Sequence, residues 1–315
     1  PATRNVTIPD WLGQSLAQEN LNSDRTRGFD LTVRHHNHFG DFQYGITGNM
    51  AFSRMMNRYV EHTDYGTQYL NWRNNSTNRY NDIWWGYDYA GQFNDLYEIW
   101  DAPIMDNLGN SQLKPGDYCY EDWNGDGVID ENDLHPIKYG AQTTPVLYYG
   151  LTLDLSWKGI DLTAVFQGGA FNNVKYDWYL STPFIYDKNG PDFFFDRWHM
   201  EDASADPLDP RTKWVRGYLP TTSQGSNAMR LNTSTSAASL HEASYIRLKS
   251  LELGYTLPKK WVQKVNASSV RVFTNAYNLL TCTGLKYLDP EHPSSGYGTT
   301  YPLICTVNFG VNIKF

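Results

Sequence analysis

Strict alternation of apolar and polar side chains is the strongest signal along the chain. Cys305, Val307, Phe309, Val311, Ile313 and Phe315 alternate with Thr306, Asn308, Gly310, Asn312 and Lys314 without a break. Successive side chains of a strand point to opposite faces, so this run predicts a strand with one apolar and one polar face. The same period recurs over residues 29–34, 42–52, 149–157, 160–167 and 251–256, and residues 268–280 are less regular but rich in β-forming types. One phase slip stands out. Ile246 and Leu248 fall at even positions, whereas Leu251, Leu253 and Tyr255 are odd. A β-bulge near Lys249 and Ser250 restores the phase. The alternative is that Arg247 and Lys249 sit near a rim, where phase matters less.

The pattern therefore predicts seven strands of about 10–14 residues each, long for a globular sheet and suited to a tilted membrane strand. The connections alternate between short turns, around Gly40 and at Lys158 and Gly159, and long segments at 55–145 and 170–241. Shorter stretches at 257–267 and 281–301 continue the series. Long loops without regular elements are uncommon in compact soluble domains. Short turns at one end and long loops at the other is how outer-membrane barrels are built. With the short turns periplasmic, the C-terminus lies in the periplasm and residues 1–27 lie outside. An odd strand count with two unpaired edges cannot stand alone in lipid. The fold expected is all-β: the C-terminal arc of a larger transmembrane barrel, with long extracellular loops.

Composition sharpens this picture. The 315 residues carry a formal net charge of −8, which argues against a nucleic-acid partner. Mean hydropathy is −0.57, and no apolar run reaches the roughly 18 residues of a spanning helix. Half-polar barrel strands give the same low value. The 23 Tyr and 11 Trp are amphipathic rings suited to membrane interfaces and to ligand-stacking loops. Cys119, Cys282 and Cys305 are few and far apart, and are expected to be free thiols. The chain opens on Pro1 with no signal-peptide pattern, which reads as an internal position of a longer chain.

One short motif carries chemistry. Asp122, Asn124 and Asp126 supply oxygens at loop positions 1, 3 and 5, and Gly127 permits the sharp turn at position 6. The Val128 carbonyl, Asp130 and Asp133 follow at positions 7, 9 and 12. A hard divalent cation needs such a set to replace its waters, so a structural calcium is expected here. Asp in place of Glu at position 12 shortens the closing reach, and no amphipathic helices flank the loop, which argues against a calcium switch. An ion-free Asx-rich turn is the alternative. In the run His35, His36 and His38, the second and third share a strand face while the first points away, with no carboxylate spaced to complete a metal site. No nucleophile elbow, P-loop or catalytic triad is found, and no enzymatic activity is expected. The aromatic stretches 83–89 and 192–198 read as small local cores that hold long loops together, with ligand or partner contact as the alternative.

Several linked motifs carry a family resemblance. They are Gly116 and Asp117 with Tyr120 and the loop that follows; Lys158-Gly159-Ile160-Asp161-Leu162; and Tyr245, Arg247, Leu248 and Lys249 with Leu253-Gly254-Tyr255-Thr256-Leu257-Pro258. Asn278-Leu279-Leu280, Asp289-Pro290-Glu291, Tyr301-Pro302 and the terminal 309–315 run complete the series in order. Together they resemble the SusC/RagA family of TonB-dependent outer-membrane transporters over residues 28–315. The resemblance implies a barrel of about 22 strands occluded by a plug, of which this chain lacks the plug, the TonB-contacting segment and most strands. It implies import of oligosaccharides or oligopeptides under a SusD-like surface lipoprotein, driven through TonB, with outer-membrane lipid around the barrel. The polar faces would line the lumen through Asp154, Asp161, Gln167, Arg247, Glu252, Asn308 and Asn312. The rival reading is a secreted calcium-binding β-protein, such as an adhesin or carbohydrate-binding module. An extracellular hydrolase stands third, and would need carboxylates gathered in one cleft.

Overall fold

The computed structural model describes residues 21–315 apart from 107, 141–143, 177–179, 183–188, 222–230, 263–265 and 292–299. Residues 1–20, and with them most of the 1–27 segment expected outside, lie beyond the described residues. Seven long strands dominate: β1 (Ser23–Phe39), β2 (Phe42–Tyr59), β3 (Leu147–Trp157), β4 (Ile160–Ala170), β5 (Tyr245–Thr256), β6 (Ser269–Thr283) and β7 (Thr306–Lys314). Each pairs antiparallel with the next in chain order, and the two-residue strand Arg79–Tyr80 adds to β2. Among the described residues the outer edges of β1 and β7 carry no ladder, so the sheet is an open arc. At 17 and 18 residues, β1 and β2 exceed the length that alternation predicts. Their ladder runs unbroken from Phe39 and Phe42 to Ser23 and Tyr59, well past the apolar segment.

The register turns alternation into two chemically distinct faces. Directly opposed residues point to the same side of a sheet. Tracing one row, His35 opposes Ile46, then Leu153, Ala164, Leu251, Ala276 and Val307. The neighbouring row runs Val33, Gly48, Leu151, Phe166, Leu248 and Leu280. Beyond His35 this apolar surface extends across the strands; the small Ala164 and Ala276 are covered by their neighbours, while Leu151, Leu253, Val307 and Phe309 stay exposed, Phe309 at 84%. The intervening rows are polar. One runs His36, Gly45, Asp154, Thr163, Glu252, Asn275 and Asn308. All seven residues expected to line a lumen fall on this second face.

The phase slip is a bulge. Leu248 pairs with Phe166 and Ser250 with Val165, so Lys249 is the extra residue on β5. On the other side Leu248 pairs with Leu280 and Ser250 with Tyr277, which places the surplus in β6, where Asn278 has a positive φ of 54°. The bulge keeps Ile246 and Leu248 on the apolar face with Leu251, Leu253 and Tyr255.

At one end of the arc, β1 turns into β2 through Gly40 and Asp41, and β3 into β4 through Lys158 and Gly159. Lys158 and Gly159 have φ of 47° and 88°, the paired left-handed geometry that matches the twist of a two-residue hairpin. The third turn at this end holds the short helix Lys259–Val262. The described residues of the connections 60–146, 171–244 and 284–305 lie beyond the opposite ends of the strands. Among the described residues no helix is long and apolar enough to cross a membrane, which leaves strand crossing untouched.

The buried core lies in the long connections. Tyr87, Phe93, Ile99, Met105, Leu113 and Tyr120 pack together from residues 60–146, and Leu231 joins them from the next connection. Helix α1 (Gln68–Asn74) is capped by Thr67, and helix α2 (Leu96–Asp101), capped by Asp95, buries Leu96 and Ile99. The unit is anchored to the arc where Arg54 on β2 grips Asp82 with two hydrogen bonds of 2.8 and 2.7 Å. Asp82 is almost fully buried, so loss of Arg54 would leave an uncompensated buried carboxylate.

Candidate functional site

The long connections interlock through a few buried polar groups. Asp117 is fully buried, and its Oδ1 accepts from Asn232 Nδ2 at 2.7 Å and Thr221 Oγ1 at 3.0 Å. Its Oδ2 accepts from the Lys114 amide at 2.8 Å. Burial pushes the Asp117 carboxyl up to about 6 from its ordinary value, against the pull of those three donors. Asn232 Oδ1 in turn accepts from the Tyr118 amide at 2.8 Å, and the Tyr120 hydroxyl donates to the Leu231 carbonyl at 2.6 Å. Gly116, at φ 93°, lies flat against the Trp198 ring, where any Cβ would collide. Trp198 Nε1 donates to Gln92 Oε1 at 3.2 Å. The Gly-Asp motif and its following Tyr thus fasten one long connection to the other.

Where the connections meet, a cavity of about 600 Å3 opens. Tyr118, Tyr176, Phe193, Phe194, Tyr218 and Tyr287 supply ring surface to its wall. Phe193 stacks on Tyr287 at 4.2 Å and on Phe194 at 4.7 Å, and Tyr176 stacks on His241 at 3.8 Å. Burial, with Lys138 nearby, lowers the His241 imidazole to about 4, so it is neutral at physiological pH. The size and the mixture of apolar wall with a few polar groups suit a small-molecule or peptide-segment site. Sequence patterning flags only the 192–198 stretch of this wall. Tyr176, Leu180 and Tyr287 lie in non-periodic segments and are brought together by tertiary folding.

The 122–133 loop sits apart from this cavity, beside α1. Asp122 accepts from the amides of Gly125 at 2.7 Å, Asp126 at 3.2 Å and Gly127 at 2.6 Å. These donors, Gly127 first, hold its carboxyl below the usual range. Asn124 Oδ1 accepts from Asp126 N, Asp126 Oδ1 from Val128 N, and Asp130 Oδ1 from Asn132 N. Asp133 is fully buried and accepts from the amides of Trp123, Asn124 and Asp130. The turn is braced from outside, because Ile104 N donates to Gly127 O and Ile129 N to Ile104 O. Trp123 stacks between Trp72 and His135. Among the described residues no group of three or more His, Cys, Asp or Glu side chains is gathered as a metal site.

Other expected positions resolve plainly. His35 lies 3.0 Å from the Tyr44 hydroxyl, while His36 and His38 occupy the polar face near the Gly40 turn. The three cysteines are free thiols. The 83–89 stretch buries Tyr87 in the loop core, as a local-core role requires. The 192–198 stretch divides: Phe194 and Trp198 are buried and Phe195 is exposed. On the polar sheet face, Arg271 pairs with both Asp161 and Glu252, and Arg247 meets Asp289 at 2.7 Å with both side chains buried. Arg271 gave no sequence signal beyond its place in a strand.

No protein-family model matches the chain. It is 24% identical over 335 aligned residues to TonB-dependent receptor P3 of Formosa agariphila, covering 98% of this chain and 30% of that receptor. It is 26% identical over 203 residues to TonB-dependent receptor SusC of Bacteroides thetaiotaomicron, covering 64% of this chain and 18% of SusC. In fold it matches the RagAB peptide importer in the open-open state with a TM-score of 0.65 at 20% identity, over 99% of this chain and 31% of that one. The structure of the RagAB peptide transporter matches at 0.62, also at 20% identity, over 99% of this chain and 32% of that one. The chain therefore spans less than a third of each full-length relative quoted above. The open arc, its two faces and these likenesses converge on one architecture, and the chain is similar over almost all its length to a stretch of the barrel of SusC/RagA-type TonB-dependent receptors.

Proposed function

We propose that this chain is the C-terminal part of an outer-membrane importer that takes up oligosaccharides or oligopeptides with a SusD-like surface lipoprotein, energised through TonB. The observation that carries this reading is the pair of sheet faces. One is a largely exposed apolar surface, which suits lipid and not water. The other is the polar face with Asp154, Asp161, Gln167, Arg247, Glu252, Asn308 and Asn312, which suits a lumen. In this reading the long connections face outward toward ligand and lid, and the short turns and C-terminus face the periplasm. The chain's own work is to enclose and to bind, with no chemical step. Cells carrying the full-length receptor are expected to accumulate a labelled oligosaccharide or oligopeptide from a mixed pool. Uptake should be lost on deleting the receptor, on deleting TonB and on uncoupling the proton gradient. Undiminished uptake after all three would contradict the reading.

The oxygen spacing of Asp122, Asn124, Asp126, Val128, Asp130 and Asp133 supports a structural calcium at the 122–133 loop. Binding would draw those oxygens from their present amide partners onto the ion. Elemental analysis of the washed, folded receptor is expected to show calcium that Asp122→Ala removes, with 60–146 loosened in hydrogen exchange. Finding neither calcium nor magnesium in the washed protein would refute the site.

A further inference from the structure

We infer that Arg25 and Arg27 of β1 form a seat on the apolar sheet face for the phosphate of a lipid headgroup at the long-loop end. This rests on the membrane reading and adds a lipid partner to it. Odd-numbered side chains of β1 share the apolar face. Counted from the short turn, that column runs from Phe39 through Val33 and Leu31 to Phe29, and Arg27 and Arg25 come next. The ten steps from Phe39 to Phe29 rise about 25 Å, at about 3.3 Å each and a tilt of about 40°. That is the height of a barrel's apolar band. Within it, His35 is paired with the Tyr44 hydroxyl at 3.0 Å. Phe29 stacks on Phe52 at 5.9 Å, so two rings close the band where an aromatic girdle belongs. Arg27 follows about 5 Å higher and Arg25 about 10 Å higher, and their long side chains reach the headgroup layer.

The protein itself leaves both charges unmatched. Both arginines are exposed, and among the described residues neither side chain forms an ion pair or a hydrogen bond. Across the ladder Arg25 opposes Met56, and Arg27 opposes Arg54, whose charge is already taken up by Asp82. Like charges directly opposed are destabilising, so this arrangement favours an anion from outside. The next same-face residues on β1 are Ser23 and Phe29, which bring no carboxylate. Two residues apart on one strand face, the guanidinium groups stem from Cα atoms about 6.6 Å apart and can both grip one phosphate through their planar forks. The position selects a lipid as the source. Acyl chains of the same molecule would lie on Leu31 and Phe29 directly below, adding apolar burial that free phosphate lacks. A protein seated here would have to displace lipid from that band.

The test uses the full-length receptor, in which a neighbouring strand covers the open edge of β1. In neutral detergent it is mixed with equal amounts of a phosphorylated, acylated disaccharide lipid and the same lipid after phosphatase treatment, and retained lipid is counted by native mass spectrometry. The phosphorylated form is expected to be retained about tenfold or more over the treated form. Arg25→Gln combined with Arg27→Gln should lower that ratio about fivefold or more, with the melting temperature unchanged. Arg34→Gln, on the same strand but on the polar face opposite Thr47, should leave it unchanged. Excess inorganic phosphate should fail to displace the lipid. A ratio near one in the unmodified receptor would overturn the inference, as would a ratio that the double variant leaves intact or that Arg34→Gln lowers equally. Displacement by inorganic phosphate would overturn it too, by showing a phosphate site that needs no lipid. If the double variant instead loses the surface lipoprotein while its lipid ratio is intact, the pair serves protein contact and the inference fails. A spin label at position 29 relaxed by a water-soluble chelate rather than by oxygen would remove the membrane reading itself, so the two readings fail separately.

Discussion

Along β1 every residue from Ser23 to Phe39 is exposed, whereas in the long connections Ile99, Leu113, Tyr120 and Leu231 are sealed from solvent. The arc is strong in backbone ladder and poor in core, and the loop unit is the reverse. The arc's apolar rows face outward and gain nothing from one another beyond cross-strand contact. In the proposed barrel their stabilisation comes from what surrounds the sheet: lipid on one face, and further strands at the two open edges. The loop unit carries its own packed interior and is fastened internally by Asp117, Asn232 and the Tyr120 hydroxyl. One region therefore depends on its environment and the other on its own packing.

The largest expected effects test that division. Leu231→Ala removes a sealed side chain where the two connections meet and should cost about 2–5 kcal/mol of loop docking. Hydrogen exchange should accelerate at the Tyr87 amide, which bonds Thr235, and at the Tyr118 amide, which bonds Asn232, with β3 and β4 unchanged. Loss of protection spread evenly over both regions would break the comparison. Next, Leu253→Arg places a charge on the apolar face and should cost about 2–4 kcal/mol in denaturant unfolding of the full-length receptor from vesicles. Thr152→Arg, on the polar face of β3, should stay within about 0.5 kcal/mol. Equal costs would mean that the faces are misassigned.

A smaller effect concerns pH. Burial raises the Asp117 carboxyl from 3.8 to about 6 in the docked loops. A raised value means that the docked state holds the proton more tightly than the open one. The added docking stability is fully present below about pH 4 and is lost as pH rises through about 6. Exchange at the Tyr118 amide, corrected for its intrinsic rate, should slow between pH 7 and pH 4, and Asp117→Asn should flatten the dependence. A docking stability that falls toward acid would assign the control to other groups.

The strands, the short turns and the Lys249 bulge were legible because each leaves a local trace: a period of two, a left-handed turn residue, a slip of phase. The lumen-facing set followed from the same period. The extra length of β1 and β2 was hidden, because their outer ends lie beyond the apolar alternation. Asp117 was legible only as part of a recurring motif. Its partners Thr221 and Asn232 lie in the next long connection, and no local pattern links positions so distant. The cavity was hidden for the same reason, being assembled from Tyr118, Tyr176, Phe193 and Tyr287 on separate connections. The 122–133 loop was plain in spacing, and its bracing by Ile104, Trp72 and His135 was not.

The central claim, that one sheet face meets lipid and the other a water-filled lumen, has a direct test. Single spin labels are placed at positions 151, 253 and 309 on one face and at 152, 252 and 308 on the other, in the full-length receptor reconstituted into vesicles. Collision with oxygen, which partitions into lipid, is compared with collision with a water-soluble nickel chelate. The account predicts oxygen-dominated relaxation at 151, 253 and 309 and chelate-dominated relaxation at 152, 252 and 308. Chelate-dominated relaxation at all six positions would contradict it.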